Sequence, residues 1–265
     1  MPSDVPGRVG PDPGRRSVRV LVVTAVAAEA EAVAAGLGAG PAPVPLSART
    51  LAGGVGPAAA AASTARELAL AAAAGTPYDL VVSAGIGGGF APYAPVGSLV
   101  VADAIVAADL GADSPDGFLP LDELGFGRTS HRPPAALAAR AAEAAGALLA
   151  PVLTVSTVTG TAARAAALSG RHPRAAAEAM EGFGVAEAAT AAAVPVLEVR
   201  GISNPVGPRD RAAWRIGDAL GALRTGFAGI APVLEAAFPK AAGAPVRTAA
   251  HPAAPGHPDV DEESL

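Results

Sequence analysis

The sequence predicts an α/β protein built around a mixed, largely parallel sheet. Three observations lead there. Val18–Thr24 (VRVLVVT) is β-branched and continuously apolar, the pattern of a strand buried on both faces. Asp79–Ser83 (DLVVS) repeats the pattern and runs into a glycine-rich segment, Ala84–Phe90. Around them, helix-length Ala-rich segments alternate with further apolar runs, the layout of parallel strands joined by crossover helices.

Taken in order, residues 1–17 are Pro, Gly and Arg-rich and read as a disordered leader. After the first strand, Ala27–Leu37 reads as a helix followed by a Pro-rich link. Ala48–Gly53 is a weak strand. Pro57 suits the first turn of a helix running to about Ala74, which Gly75-Thr76-Pro77 breaks. Gly97–Ala108 is a further strand region. Residues 111–132 carry scattered Gly, Pro and Asp and read as a long loop, a common form for a functional lid. Pro133–Leu149 is helical, and Val152–Val158 is a strand ending at Thr159-Gly160-Thr161. A short strand or turn at Ala175–Met180 precedes the helix Gly184–Ala193 and the strand Val194–Ile202. Asp210–Phe238 reads as a long terminal helix with one interruption. Residues 239–265 form a Pro/Ala-rich tail, so residues 18–238 make one domain.

Composition narrows the function. Of 265 residues, 51% are hydrophobic and only 3% aromatic, so Ala, Val and Leu must build the core. The net charge of −5 lacks the basic footprint of a nucleic-acid binder. The longest apolar stretch, Ala58–Ala74, is interrupted by Arg66 and Glu67 and is not a membrane span. With no cysteine there is no disulfide, thiolate metal site or Cys nucleophile, as expected of a cytoplasmic enzyme. No two of His131, His172, His251 and His257 have metal-ligand helical spacing, so no metal or other cofactor is expected. His131 is the one worth watching.

Several segments carry candidate chemistry, each with a plainer structural alternative. Ser83–Gly89 (SAGIGGG) lets a ligand approach the backbone at Ile86, Gly87 and Gly88; the alternative is a tight turn. It fits neither the dinucleotide fingerprint nor a triphosphate loop. Glu29 follows the first strand, where α/β sheets bind ligands, and can deprotonate a water; the alternative is an acid in a first helical turn. Glu181 can accept two hydrogen bonds from a ribose diol, with Met180 packed on the sugar; the alternative is a helix-start acid. Asn204 ends an apolar run and can donate to a purine N7 and O6; the alternative is a simple Asn-Pro turn. Asp210 reads as a helix cap.

These strings together resemble the nucleoside phosphorylase/nucleosidase superfamily, and within it the methylthioadenosine/S-adenosylhomocysteine nucleosidase branch. The resemblance covers roughly residues 18–235 through AVAAEAE, SAGIGGGFAPYAPVGSLVVAD, TVSTVTGTAARAA, AMEGFGVAEAA and VLEVRGISNPVG, in the family's order. It implies a three-layer αβα fold with a twisted central sheet, no cofactor, a small nucleoside as substrate, and a homodimer or higher homo-oligomer. By the same resemblance, Glu29 activates water, Met180 and Glu181 bind the ribose, and Asn204 stands where adenine-cleaving members carry an Asp that protonates N7. An amide cannot protonate a leaving base. It can hydrogen-bond N7 and O6 of a 6-oxopurine, which points to hypoxanthine release. Ala163 replaces an aromatic that stacks on the base, and Arg164 beside it is the candidate cationic partner. Ile86 takes the place of a Ser.

The phosphorylases' arginines after strand one and before the glycine-rich segment are missing. Hydrolysis of an N-glycosidic bond is therefore expected over phosphorolysis. An adenine-releasing nucleosidase and a non-catalytic nucleoside-binding protein remain as alternatives.

Overall fold

The computed structural model describes residues 17–39 and 46–238. The expected leader (to residue 16), most of the Pro-rich link and the tail lie outside the described residues. Strand β1 (Val18–Thr24) is apolar without a break from Val20 to Val23 because both its faces are covered there. Val18, Val20 and Val22 point into one core, while Leu21 and Val23 point into the other. Strand β3 (Leu80–Gly89) divides in the same way, with Leu80, Val82 and Ala84 on the first face and Val81 on the second. Alternation of period two through a continuous apolar run is what a central strand of a layered α/β fold requires.

The remaining elements complete three layers. Helices α1 (Ala27–Leu37), α3 (Ala135–Ala145) and α6 (Ile216–Ala236) cover the first face. Helices α2 (Pro57–Ala73) and α5 (Gly182–Ala191) cover the second. Between them lie β2 (Leu46–Ala52), β4 (Leu99–Ala107), β8 (Leu148–Thr154), β9 (Ala177–Ala179) and β10 (Val196–Pro205). Strand β1 pairs in parallel with β2 and β3, and β3 in parallel with β10. Strand β4 runs antiparallel to β10 and parallel to β8. The short β9 joins β8 in parallel and β3 antiparallel. The two-residue β7 (Ser130–His131) hangs on β4. The sheet is thus mixed and largely parallel, as expected. No described helix is long and apolar enough to cross a membrane.

Four expectations are corrected. The glycine-rich segment is no loop: Ser83–Gly89 continues β3, and its glycines are there for close packing. None of Gly85, Gly87, Gly88 and Gly89 has positive φ. A Cβ at Gly87 would lie 2.7 Å from the Glu178 carbonyl oxygen, and one at Gly89 2.0 Å from that of Ala94. Residues 111–120 form a hairpin, β5 (Gly111–Ser114) and β6 (Gly117–Pro120), turning at Pro115-Asp116-Gly117, where Gly117 takes φ 118°. Pro-Asp-Gly is a turn signal that was there to be read. Helix α3 stops at Ala145 because Gly146 adopts a left-handed cap (φ 60°), so the next strand starts at Leu148, ahead of the expected Val152. The terminal helix begins at Ile216, after a 3₁₀ turn Arg211–Ala213 capped by Asp210 Oδ1 accepting from the Ala212 N–H at 3.0 Å.

Small residues set the layer spacing. A Cβ at Gly184 of α5 would lie 2.0 Å from the Pro57 carbonyl oxygen at the start of α2. Neither backbone can yield without separating the two helices. Gly184→Ala is therefore expected to destabilise the fold by about 2–4 kcal/mol, read as a lowered denaturation midpoint at unchanged slope.

Candidate active site

The parallel strands β1, β3 and β10 end on one side of the sheet, and a cavity of about 330 Å³ opens there. Its lining includes Glu29, Ile86, Gly87, Gly88, Met180, Glu181 and Asn204. Three polar groups far apart in sequence therefore meet around one space.

Glu29 is buried in the first turn of α1. Its Oε2 accepts from the backbone N–H groups of Ala25 (2.9 Å) and Val26 (3.2 Å). Its Oε1 accepts from the Ile86 N–H at 2.9 Å. Oε1, with a single donor, keeps a lone pair free. Gly85 makes room for it: a Cβ there would lie 2.8 Å from both Glu29 Oε1 and Arg200 Nη1.

Glu181 ends the link from β9 to α5. Its Oε1 accepts from the Gly56 N–H at 3.2 Å, and its Oε2 from Arg200 Nη1 at 3.1 Å. Each oxygen again has capacity to spare. Arg200 is fully buried and also donates from Nε to Glu198 Oε1 (2.9 Å) and from Nη2 to Ser83 Oγ (3.0 Å). Burial opposes the charge on Arg200, but the carboxylates of Glu198, Glu181 and Glu29 outweigh it and hold the guanidinium above its ordinary pKa. Burial pushes the Glu198 carboxyl up, against the pull of Arg200. Sequence reasoning quoted Arg200 but gave it no role. The signal was Glu198-Val199-Arg200, two opposite charges on one face of an otherwise apolar strand.

Asn204 sits at the end of β10, where a bulge breaks the register with β3 between Ile202 and Asn204. Such irregularities re-aim strand-end side chains. Its Oδ1 accepts from Ser203 Oγ at 2.8 Å, and its Nδ2 donates to the Pro205 carbonyl at 3.0 Å. One amide proton is left for a ligand, where two were expected.

Arg164 and Ala163 lie outside the cavity lining. Both start helix α4 (Ala162–Arg171), and Arg164 Nη2 pairs with Asp109 at 3.4 Å. The chain meets the cavity earlier, at Val158 and Thr159. Two further lining residues were missed. Trp214, the only tryptophan, was absorbed into the expected long helix but falls in the break before α6. Glu178, also in the lining, read as part of a short strand; burial pushes its carboxyl up, against two hydrogen bonds from Thr159. His131 stays structural, with Nε2 2.7 Å from Glu187 and Nδ1 3.1 Å from Thr190 Oγ1. No metal-binding cluster is present among the described residues.

A family model described as the phosphorylase superfamily matches residues 21–229. A futalosine hydrolase of Streptomyces coelicolor is 63% identical over 185 residues, covering 70% of this chain and 79% of the relative. One of Thermus thermophilus is 37% identical over 162 residues, covering 59% and 71%. Among solved structures, the native futalosine hydrolase of Helicobacter pylori superposes with a TM-score of 0.67 at 16% identity, covering 82% of this chain and 98% of the other. A methylthioadenosine/S-adenosylhomocysteine nucleosidase of Colwellia psychrerythraea in complex with adenine gives 0.68 at 20%, covering 83% and 96%. At such identities the structural likeness speaks for the fold, while the sequence matches speak for descent. The chain belongs to the phosphorylase superfamily and, within it, to the futalosine hydrolase family.

Proposed function

We propose that this chain hydrolyses the N-glycosidic bond of futalosine, releasing hypoxanthine and dehypoxanthinyl futalosine. The observation that carries the reading is the shared cavity of Glu29, Glu181 and Asn204. Glu181 presents both carboxylate oxygens to the ribose 2′- and 3′-hydroxyls, backed by Gly56 and Arg200. Met180 packs on the sugar, and Ile86, Gly87 and Gly88 give it a backbone floor. The C1′–N9 bond breaks with its electron pair moving to the base, leaving an oxocarbenium-like sugar. Asn204 hydrogen-bonds the leaving purine through its remaining amide N–H and spreads the developing charge. Water held by Glu29 Oε1 attacks C1′ and gives its proton to the carboxylate. The departing base takes up a proton from solvent and Glu29 returns its proton to solvent, so one water is consumed and no cofactor is required.

Water is favoured over phosphate as the nucleophile. The guanidinium nearest Glu29 is that of Arg200, which is fully buried and bonded to two carboxylates and a serine. Every nitrogen of Arg200 is therefore engaged and none is open to a phosphate dianion, and the one guanidinium in the described cavity lining, that of Arg209, follows β10 rather than standing in the loop after β1 or ahead of the glycine-rich segment. We also infer a cytoplasmic homo-oligomer. Val26, Val55 and Val158 are 45%, 58% and 43% exposed at the cavity wall, an apolar rim that a second chain would cover. Light scattering is expected to give a mass above 25.5 kDa; a monomer overturns the oligomer.

Hypoxanthine release from futalosine is expected to proceed equally with and without phosphate. Strict phosphate dependence, or release of adenine from adenine nucleosides alone, overturns the assignment. Glu29→Gln is expected to lower kcat by about 10²–10⁴-fold. Glu181→Gln is expected to lower kcat/KM by at least about tenfold, since a charged acceptor of two hydrogen bonds becomes neutral. Gly85→Ala, which drives a methyl group between Arg200 and Glu29, is expected to reduce turnover by about 10²-fold, read beside circular dichroism to show the fold retained.

A further inference from the structure

Glu178 has no part in the mechanism above, yet it is costly to keep. It is 5% exposed and lines the same cavity as Asn204. Its protein hydrogen bonds come from one neutral residue: the Thr159 N–H donates to Oε1 at 2.8 Å, and the Thr159 hydroxyl bonds Oε2. Arg164, whose charge acts on Glu178 without bonding it, is turned to Asp109, and Glu178 forms no ion pair with Arg209 of the same lining. A buried carboxylate without a cationic partner destabilises a fold, which is consistent with its raised pKa. Both oxygens keep lone pairs for a further donor, and an ionised carboxylate can only accept.

The sheet register shows what that donor would be. Glu178 of β9 is the register partner of Gly88 from one side, and Asn204 of β10 is the partner of the same Gly88 from the other. The two Cα atoms therefore stand two strand spacings apart, about 10 Å, and both side chains line the one cavity. A flat bicyclic base in that cavity can turn one edge toward each polar side chain. A purine turned with N7 to Asn204 presents the N1 side of its six-membered ring to Glu178. In hypoxanthine N1 carries a hydrogen; in adenine it carries a lone pair.

We propose that Glu178 accepts the N1–H of the base and thereby sets the preference for 6-oxopurine over 6-aminopurine nucleosides. The inference rests on the nucleosidase reading and adds a specificity residue to it. Thr159 orients the carboxylate through both oxygens. An adenine base would set its N1 lone pair against a carboxylate, a mismatch that hydrogen-bonding sites reject strongly.

The test measures kcat/KM for futalosine and its 6-amino counterpart in wild type, Glu178→Gln and Glu178→Val. The expected result is a futalosine preference that falls at least about tenfold in both variants, carried by the loss on futalosine. Parallel losses on both substrates would mean that Glu178 only props the Thr159 segment, and would overturn the proposal. Calorimetry with hypoxanthine and adenine repeats the comparison without turnover, so it decides the N1 question even if wild type fails to cleave futalosine. That failure would sink the nucleosidase reading separately. A third measurement needs no variant: the imino proton of N1-labelled hypoxanthine bound to wild type should be shifted downfield and protected from exchange. An imino proton exchanging as it does in free solution overturns the assignment.

Discussion

A guanidinium buried among three carboxylates holds this site together. Arg200 has no exposure to water, and it sits between Glu198 and Glu181 with Glu29 close by. Removing such a charge from water costs several kcal/mol, recovered only when its partners are fixed at hydrogen-bond distance. The fold fixes them from four directions. Strand β10 brings Glu198 two residues before Arg200, on the same face. The link into α5 brings Glu181, β3 brings Ser83, and α1 brings Glu29 to the far side of Gly85. Two glycines keep the space open. One is Gly85; the other is Gly182, where a Cβ would lie 2.3 Å from both Glu198 carboxylate oxygens. Glu181, which faces the cavity, is thereby positioned by a guanidinium that lies outside the cavity lining.

Much of the scaffold was legible in the sequence because burial on two faces leaves a plain record. Val18–Thr24 and Ala27–Leu37 appear in the structure with the bounds their apolar pattern implies. The convergence of Glu29, Met180, Glu181 and Asn204 was legible through the order of their segments, which a resemblance could supply and spacing alone could not. What was hidden depended on neighbours in space. Ser83–Gly89 looks like a loop because a strand whose side chains are replaced by the backbones of flanking strands has the composition of one. Arg164 looked like a base partner because α4 was not separated from the segment before it; the structure gives the cavity Val158 and Thr159 from that segment. Trp214 lay inside an expected long helix whose single interruption had no assigned place, and the break after Asp210 brings it to the cavity wall. Glu178 and Arg200 were visible as charges in apolar strands, but which charge faces a ligand and which a partner is decided by register.

Strand β3 does two jobs that impose one composition. At Gly87 the strand passes within contact of the β9 backbone, and at Gly88 it passes under the Val206 side chain, while both residues line the cavity. Packing demands small residues at both positions, and their backbone bounds the cavity. A run of glycine through a central strand is normally a weakness, since it adds conformational entropy to the unfolded chain and packs nothing. Here parallel pairing with β10 from Val81 to Gly89, and antiparallel pairing with β9 at Gly88 and Gly89, compensates.

Helix α1 begins without a conventional capping residue. Val26 stands at the N-cap and has no side-chain acceptor to offer, but Glu29 at N3 reaches back, and its Oε2 accepts from the N–H groups of Ala25 and Val26. The oxygen that anchors the helix and the oxygen free to meet water belong to one carboxylate. In the mechanism proposed above, loss of this side chain frays the opening turn and removes the base that acts on water, so a truncation there blends a folding defect with a kinetic one.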